Sequence, residues 1–156
     1  MTRLEKAKKI GKILDKLYPE TPIPLTHSSA YTLIVAVMLS AQTTDKKVNQ
    51  VTPKLFGHAS TPEEMFNLDV QIIKNLIKEI GLAPTKAKNL KKMALQLIEG
   101  GGMRPDWDYL ESLAGVGHKT ASVVMSQWYG IPAFPIDTHI HRLASRWGLS
   151  KAKNVE

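Results

Sequence analysis

The stretch LAGVGHKTA, residues 113–121, decides how this chain is read, because two glycines two positions apart are followed at once by a lysine at the start of an apolar segment. Gly115 and Gly117 can take backbone angles closed to other residues, so the chain can turn tightly and bring its N–H groups against a phosphate. A helix beginning near His118 adds unpaired N–H groups and the positive end of its dipole. Lys119 then falls in the first turn, where the helix terminus and partial burial favour the uncharged amine, a nucleophile able to form a Schiff base with an aldehyde-type carbon. The same residues also read as an ordinary helix–helix turn with a solvated lysine. The rest of the chain has to choose.

Composition narrows the choice. A chain of 156 residues is long enough for a real core. The net charge of +7 points to a polyanionic partner. That charge is uneven, with nine Lys/Arg against four Asp/Glu over residues 1–60, seven against five over 61–105, and five against five over 106–156. The glycine–lysine turn lies in the balanced part, so phosphate contacts there are expected from backbone rather than from a lysine carpet. There is no cysteine, which excludes disulfides, Cys-ligated zinc and an iron–sulfur cluster held by this chain. The longest apolar run, Leu33 to Leu39, is far too short to span a bilayer, and the charged start lacks a following apolar region. The expected localisation is intracellular, cytoplasmic or nucleoid-associated, without a membrane.

Apolar residues recur three and four apart and alternating patterns are nearly absent, so the fold class is all-α. The first helix is predicted from Arg3 to Tyr18, with Leu4, Ile10, Ile13, Leu14 and Leu17 inward. A second runs from near Ser29 to Ala41 and is apolar on most sides, which marks a buried central helix; a third follows Thr44 or Asp45 to Phe56. Thr61-Pro62-Glu63-Glu64 supplies a cap, a first-turn proline and a capping-box glutamate. Asp69 caps a helix stopping at Gly81, Pro84 opens a long one ending at Gly100-Gly101-Gly102, and Asp106 starts a short helix into the glycine turn. The lysine helix runs to Gly130 and Asp137 caps a last helix to about Trp147, after which residues 154–156 read as another helix beginning. Trp107, Trp128 and Trp147 are assigned to the core.

Asp137, in FPIDTHIHR, lies eighteen positions after Lys119. With Pro132 and Pro135 reversing the chain, the spacing suits a return of its helix N-terminus to the cleft of the lysine. A carboxylate there could take a proton from the amine and stabilise positive charge developing on a sugar ring. It also reads as a plain N-cap, which stabilises a helix by about 1 kcal/mol without any catalysis. A glycine turn, a helix-start lysine and a returning aspartate together are what a lyase acting on a phosphodiester-borne sugar needs.

The strings LSAQTTDKKVN, GLAPTKAKNL, LAGVGHKTASVV and IDTHIHRLASRWGL resemble the helix-hairpin-helix DNA glycosylases, the endonuclease III family in particular, over essentially the whole chain. The resemblance implies a base excision repair enzyme that removes oxidised pyrimidines from duplex DNA and cleaves the strand by β-elimination. It makes Lys119 the residue that attacks C1′ and Asp137 the essential carboxylate. It assigns Gln42 to the gap left by an extruded base and Leu82 to a wedge in the opposite strand, which fits the need to fill an opened stack. Gly115, Val116, Gly117, His118, Thr120 and His139 join them as candidate DNA contacts. His139 and His141, two apart on a helix, face different ways and are not read as joint metal ligands. A monovalent cation on the backbone carbonyls of Leu113 and Val116 is a further implication; no side-chain metal site is read.

The resemblance also implies a six-helix subdomain at 22–132, with the hairpin at about 106–130. Residues 1–21 and 133–156 would be parts of a second helical subdomain lacking its cluster-bearing C-terminal part. Ala114 and His118 stand where the family usually has proline and arginine, and the family's closing helices with four cysteines and a [4Fe–4S] cluster are missing, so a fragment or shortened product is expected. The expected partner is double-stranded DNA carrying a damaged base or an abasic site, bound by a monomer. Two other readings are a glycosylase with another damaged-base preference and a non-catalytic helix-hairpin-helix DNA-binding module, which would need backbone N–H groups at the turn but no reactive amine.

Overall fold

The computed structural model describes residues 1–153, so the sequence's last predicted helix start, at 154–156, lies outside the described residues. These residues are helical, without strands. The helices are α1 (Arg3–Leu17), α2 (Ala30–Ser40), α3 (Asp45–His58), α4 (Pro62–Asn67), α5 (Val70–Leu76), α6 (Ala83–Gly100), α7 (Trp107–Ser112), α8 (His118–Gln127) and α9 (Thr138–Arg146). They fall into two compact units, one of residues 24–135 and one of residues 1–23 with the stretch from Ile136 onward.

The larger unit is organised by α2. Ser29 begins it with a reciprocal cap, its Oγ accepting the Thr32 N–H while the Thr32 hydroxyl oxygen accepts the Ser29 N–H. All ten residues from Ala30 to Leu39 are buried. Helices α3, α6 and α8 pack on it, and α4 and α5 pack on α6. Leu33, Ile34, Leu39, Leu55, Ile73, Leu90 and Leu97 form the fully buried interior. The hairpin of α7 and α8 is therefore mounted on the most buried helix of the unit.

Several expectations are corrected. Helix α5 ends at Leu76 rather than Gly81, because the chain beyond tightens into an Ile80 N–H to Ile77 carbonyl bond that keeps Ile77 and Ile80 buried. Glu64 reaches the Ser60 N–H instead of the Thr61 N–H, so the α4 start is a cap without a closed box. The lysine helix stops at Gln127, short of Gly130. None of the three tryptophans is buried. Trp107 stacks on the His118 ring at a 5.5 Å centroid distance, and Trp128 meets His27 edge-on at 6.1 Å.

In the smaller unit neither α1 nor α9 has a buried residue. Leu4, Ile13, Leu14 and Leu17, predicted to point inward, are exposed, and Ile10 is half-buried. Leu90→Ala is expected to lower unfolding free energy by about 2–5 kcal/mol, since its fully buried side chain would leave a cavity in the larger unit. Leu17→Ala, at an exposed position, is expected to change it by less than about 0.5 kcal/mol. Urea denaturation of both variants reads the difference.

Candidate active site

The hairpin turn is held from below by one side chain. Gln96 of α6 accepts the Ala114 N–H on its Oε1 at 2.8 Å and donates from Nε2 to the Ser112 carbonyl at 3.1 Å. Its amide therefore does for the turn what a paired strand would do, satisfying one donor and one acceptor on either side of Leu113. The sequence reading missed Gln96. Nothing in a lone glutamine on a long helix announces that it faces a turn 16 to 18 residues away.

The two glycines have different jobs. Gly115 has φ +78°, and a Cβ there would lie 2.6 Å from Met38 Sδ and 3.2 Å from Asn89, so both conformation and close packing on α2 and α6 require glycine. Gly117, expected to need special angles too, is instead extended, with φ −97° and ψ −177°, and open space around its Cβ position. Its bareness leaves room above the helix start. Gly117 is the N-cap of α8 and supplies no capping side chain. The first N–H groups of that helix consequently point outward without an intrahelical acceptor, beside the positive end of the dipole.

That start is unlike most in the molecule. Seven of the nine helices in the described residues carry a Thr, Ser or Asp whose side chain accepts a first-turn N–H; the exceptions are α8 and α6. Helix α6 begins at Leu82, a residue in the left-handed region with φ +61° and 56% exposed. The other non-glycine residue of positive φ among the described residues is Gln42, at +57° and also exposed. Left-handed backbone costs a non-glycine residue roughly 1–2 kcal/mol, so two side chains are held out at strained positions where glycine would be easier.

Lys119 stands in the first turn of α8 as predicted, but it is exposed rather than partly buried. Only the helix terminus among the two expected influences surrounds it. His118, at the first helical position, donates from Nδ1 to Glu111 Oε1 at 2.9 Å and lies against Trp107, which leaves Nε2 toward solvent. Thr120 is half-buried and Val116 is buried under the turn, with its N–H donating to the Leu113 carbonyl at 3.1 Å.

Asp137 and His139 belong to the smaller unit. Asp137 is the N-cap of α9, accepting the Ile140 N–H on Oδ1 at 2.8 Å, and it is half-buried. Arg142 donates to His139 Nδ1 at 3.0 Å, while His141 Nε2 meets the Ala152 carbonyl at 3.1 Å, so the two histidines have separate partners. Among the described residues no group of three or more His, Cys, Asp or Glu is placed to hold a metal ion. Without a cysteine, the residues of this chain do not fit the family's cysteine-ligated cluster. No helix is long and apolar enough to cross a membrane in the described residues.

The two glycines make opposite predictions. Gly115→Ala is expected to destabilise the fold by about 1–3 kcal/mol through strain and overpacking. Gly117→Ala should leave thermal stability near wild type yet weaken duplex DNA binding, because a methyl group would stand over the exposed N–H groups. Thermal denaturation beside fluorescence anisotropy with a labelled duplex separates the two.

Comparison with known proteins places the chain among its relatives. The family model for the HhH-GPD superfamily base excision DNA repair protein matches residues 35–156. The chain is 42% identical over 152 residues to endonuclease III of Bacillus subtilis (strain 168), covering 94% of this chain and 69% of that protein. It is 43% identical over 158 residues to endonuclease III of Escherichia coli (strain K12), covering 98% and 74% respectively. A solved trapped endonuclease III–DNA covalent intermediate superimposes with a TM-score of 0.93 at 35% identity, over 99% of this chain and 73% of that one.

Proposed function

The chain belongs to the HhH-GPD superfamily of base excision DNA repair proteins and is a repair glycosylase of the endonuclease III group, and we propose that it removes oxidised pyrimidines from double-stranded DNA and then cleaves the abasic strand. The observation that carries this reading is the uncapped start of α8, where outward N–H groups and the exposed Lys119 amine share one helical turn. Phosphates flanking the lesion meet the turn of Gly115, Val116 and Gly117 and bind the N–H groups of Gly115, Gly117, His118 and Thr120, while the Val116 N–H stays on the Leu113 carbonyl and the carbonyls of Leu113 and Val116 are candidate ligands for a monovalent cation at the turn. His118 Nε2 and His139 add side-chain phosphate contacts. Gln42 fills the space vacated by the extruded nucleotide, and Leu82 wedges against the opposite strand.

In the reaction, the neutral Lys119 Nζ forms a bond to C1′ as the glycosidic bond breaks, and the base leaves with the bonding electron pair and takes up a proton. Asp137 accepts the amine's proton and stabilises the positive charge on the sugar meanwhile. Ring opening gives an imine between Nζ and C1′. Loss of a C2′ proton then expels the 3′ phosphate by β-elimination, and water hydrolyses the imine to release the enzyme. Residues 22–132 would constitute the DNA-reading subdomain, with 1–21 and 133–156 belonging to a second one. The protein is proposed to work as a monomer on intracellular DNA.

The exposure of Lys119 favours one other reading, a helix-hairpin-helix module that binds DNA without reacting. Borohydride trapping with a duplex holding one abasic site tests both. Wild type is expected to give a covalent adduct that Lys119→Ala lacks, while the variant keeps duplex affinity within about threefold. Retained binding with no wild-type adduct would leave only the binding module. Asp137→Asn should slow base release by at least about a hundredfold in single-turnover assays; wild-type rates would reduce Asp137 to its cap.

A further inference from the structure

The end of α2 and the start of α6 are latched together around Gln42 and Leu82. Helix α2 is buried, so its last carbonyls need partners. The Val37 carbonyl accepts the Ser40 hydroxyl at 2.6 Å, Met38 the Ala41 N–H at 3.4 Å and Ser40 the Thr43 N–H at 3.1 Å. The two remaining, Leu39 and Ala41, are both taken by the Lys86 ammonium, at 3.0 and 2.5 Å. Lys86 is 5% exposed, and burial pushes its amine below the ordinary lysine value.

The same residue closes the first turn of α6, its backbone N–H donating to the Leu82 carbonyl at 2.9 Å. Lys86 thus bonds directly to Leu82 with its main chain and to the neighbour of Gln42 with its side chain. A second tie runs on the other side of Gln42, from the Gly81 N–H to Thr43 Oγ1 at 3.1 Å. A Cβ at Gly81 would lie 3.2 Å from the Gln42 carbonyl oxygen, so the two backbones are in close approach. Residues 41 and 43 are each fastened to the segment that carries Leu82, with the strained Gln42 between them.

We propose that Lys86 is a positioning residue for duplex opening, fixing Gln42 and Leu82 as one rigid pair so that both enter the stack together. The inference rests on the glycosylase reading above, in which those two side chains replace and wedge the opened stack. A substrate whose target sugar is already unstacked needs the pair much less than a paired base does. The latch therefore acts on one class of substrate, which general destabilisation would not do.

The test compares a duplex carrying thymine glycol opposite adenine with a single-stranded oligonucleotide carrying one abasic site. Lys86→Met should lower kcat/KM on the duplex about a hundredfold, the scale set by small misplacement of positioned groups, while trapping on the single strand stays within about threefold. Thr43→Val, which removes only the outer tie, should shift the ratio the same way by about tenfold. Equal losses on both substrates, or an unchanged ratio in the folded variants, would overturn the proposal; should Lys86→Met fail to fold, Thr43→Val decides alone. Fluorescence of 2-aminopurine placed opposite an abasic site reads unstacking without any reaction. A wild-type chain that forms no adduct would remove the catalytic reading, while the latch would stand or fall on whether Thr43→Val diminishes that signal.

Discussion

A helix buried over all but its last residue cannot leave its end groups to water, and α2 is such a helix. Its start is closed by a hydroxyl pair between Ser29 and Thr32, and its end by a lysine reaching in from α6. Satisfying those last carbonyls draws α6 onto α2 at one particular register. The hairpin follows from the same arrangement, because Gly115 packs on Met38 and Asn89, one from each of these helices, and Gln96 of α6 pins the turn above.

The helix starts divide the molecule by purpose. Where a helix only has to begin, a Thr, Ser or Asp occupies the cap and its oxygen uses a first-turn N–H. At α8 and α6 that economy is given up, and what stands there instead is a bare glycine and an exposed leucine in left-handed conformation. Gly117 forgoes a few tenths of a kcal/mol of capping and Leu82 about 1 kcal/mol, to which Leu82 adds backbone strain. Such departures from local preference are what the proposed DNA contacts at these two starts would account for.

Asp137 caps α9 through its Oδ1, and accepting a backbone N–H fixes the direction of its carboxylate. His118 is fixed in a comparable way, by Glu111 on one ring nitrogen and the Trp107 face beneath, so its free nitrogen has a set direction.

Amino-acid order alone determined the helical class, the helix starts at Ser29, Thr44, Thr61, Asp69, Asp106 and Asp137, and the glycine turn with its lysine, because these depend on interactions within a few residues. Gln42, Leu82 and Asp137 were singled out by resemblance to a family, while the strain at Gln42 and Leu82 was not legible, since backbone angles of non-glycine residues carry no sequence mark. Only the tertiary structure decided that Gly117 is extended, that Lys119 and the tryptophans lie outside the core, and that Gln96 and Lys86 hold the turns. Those outcomes depend on partners 16 to 47 residues away, or on which face of a helix the rest of the chain leaves uncovered, and local periodicity contains neither.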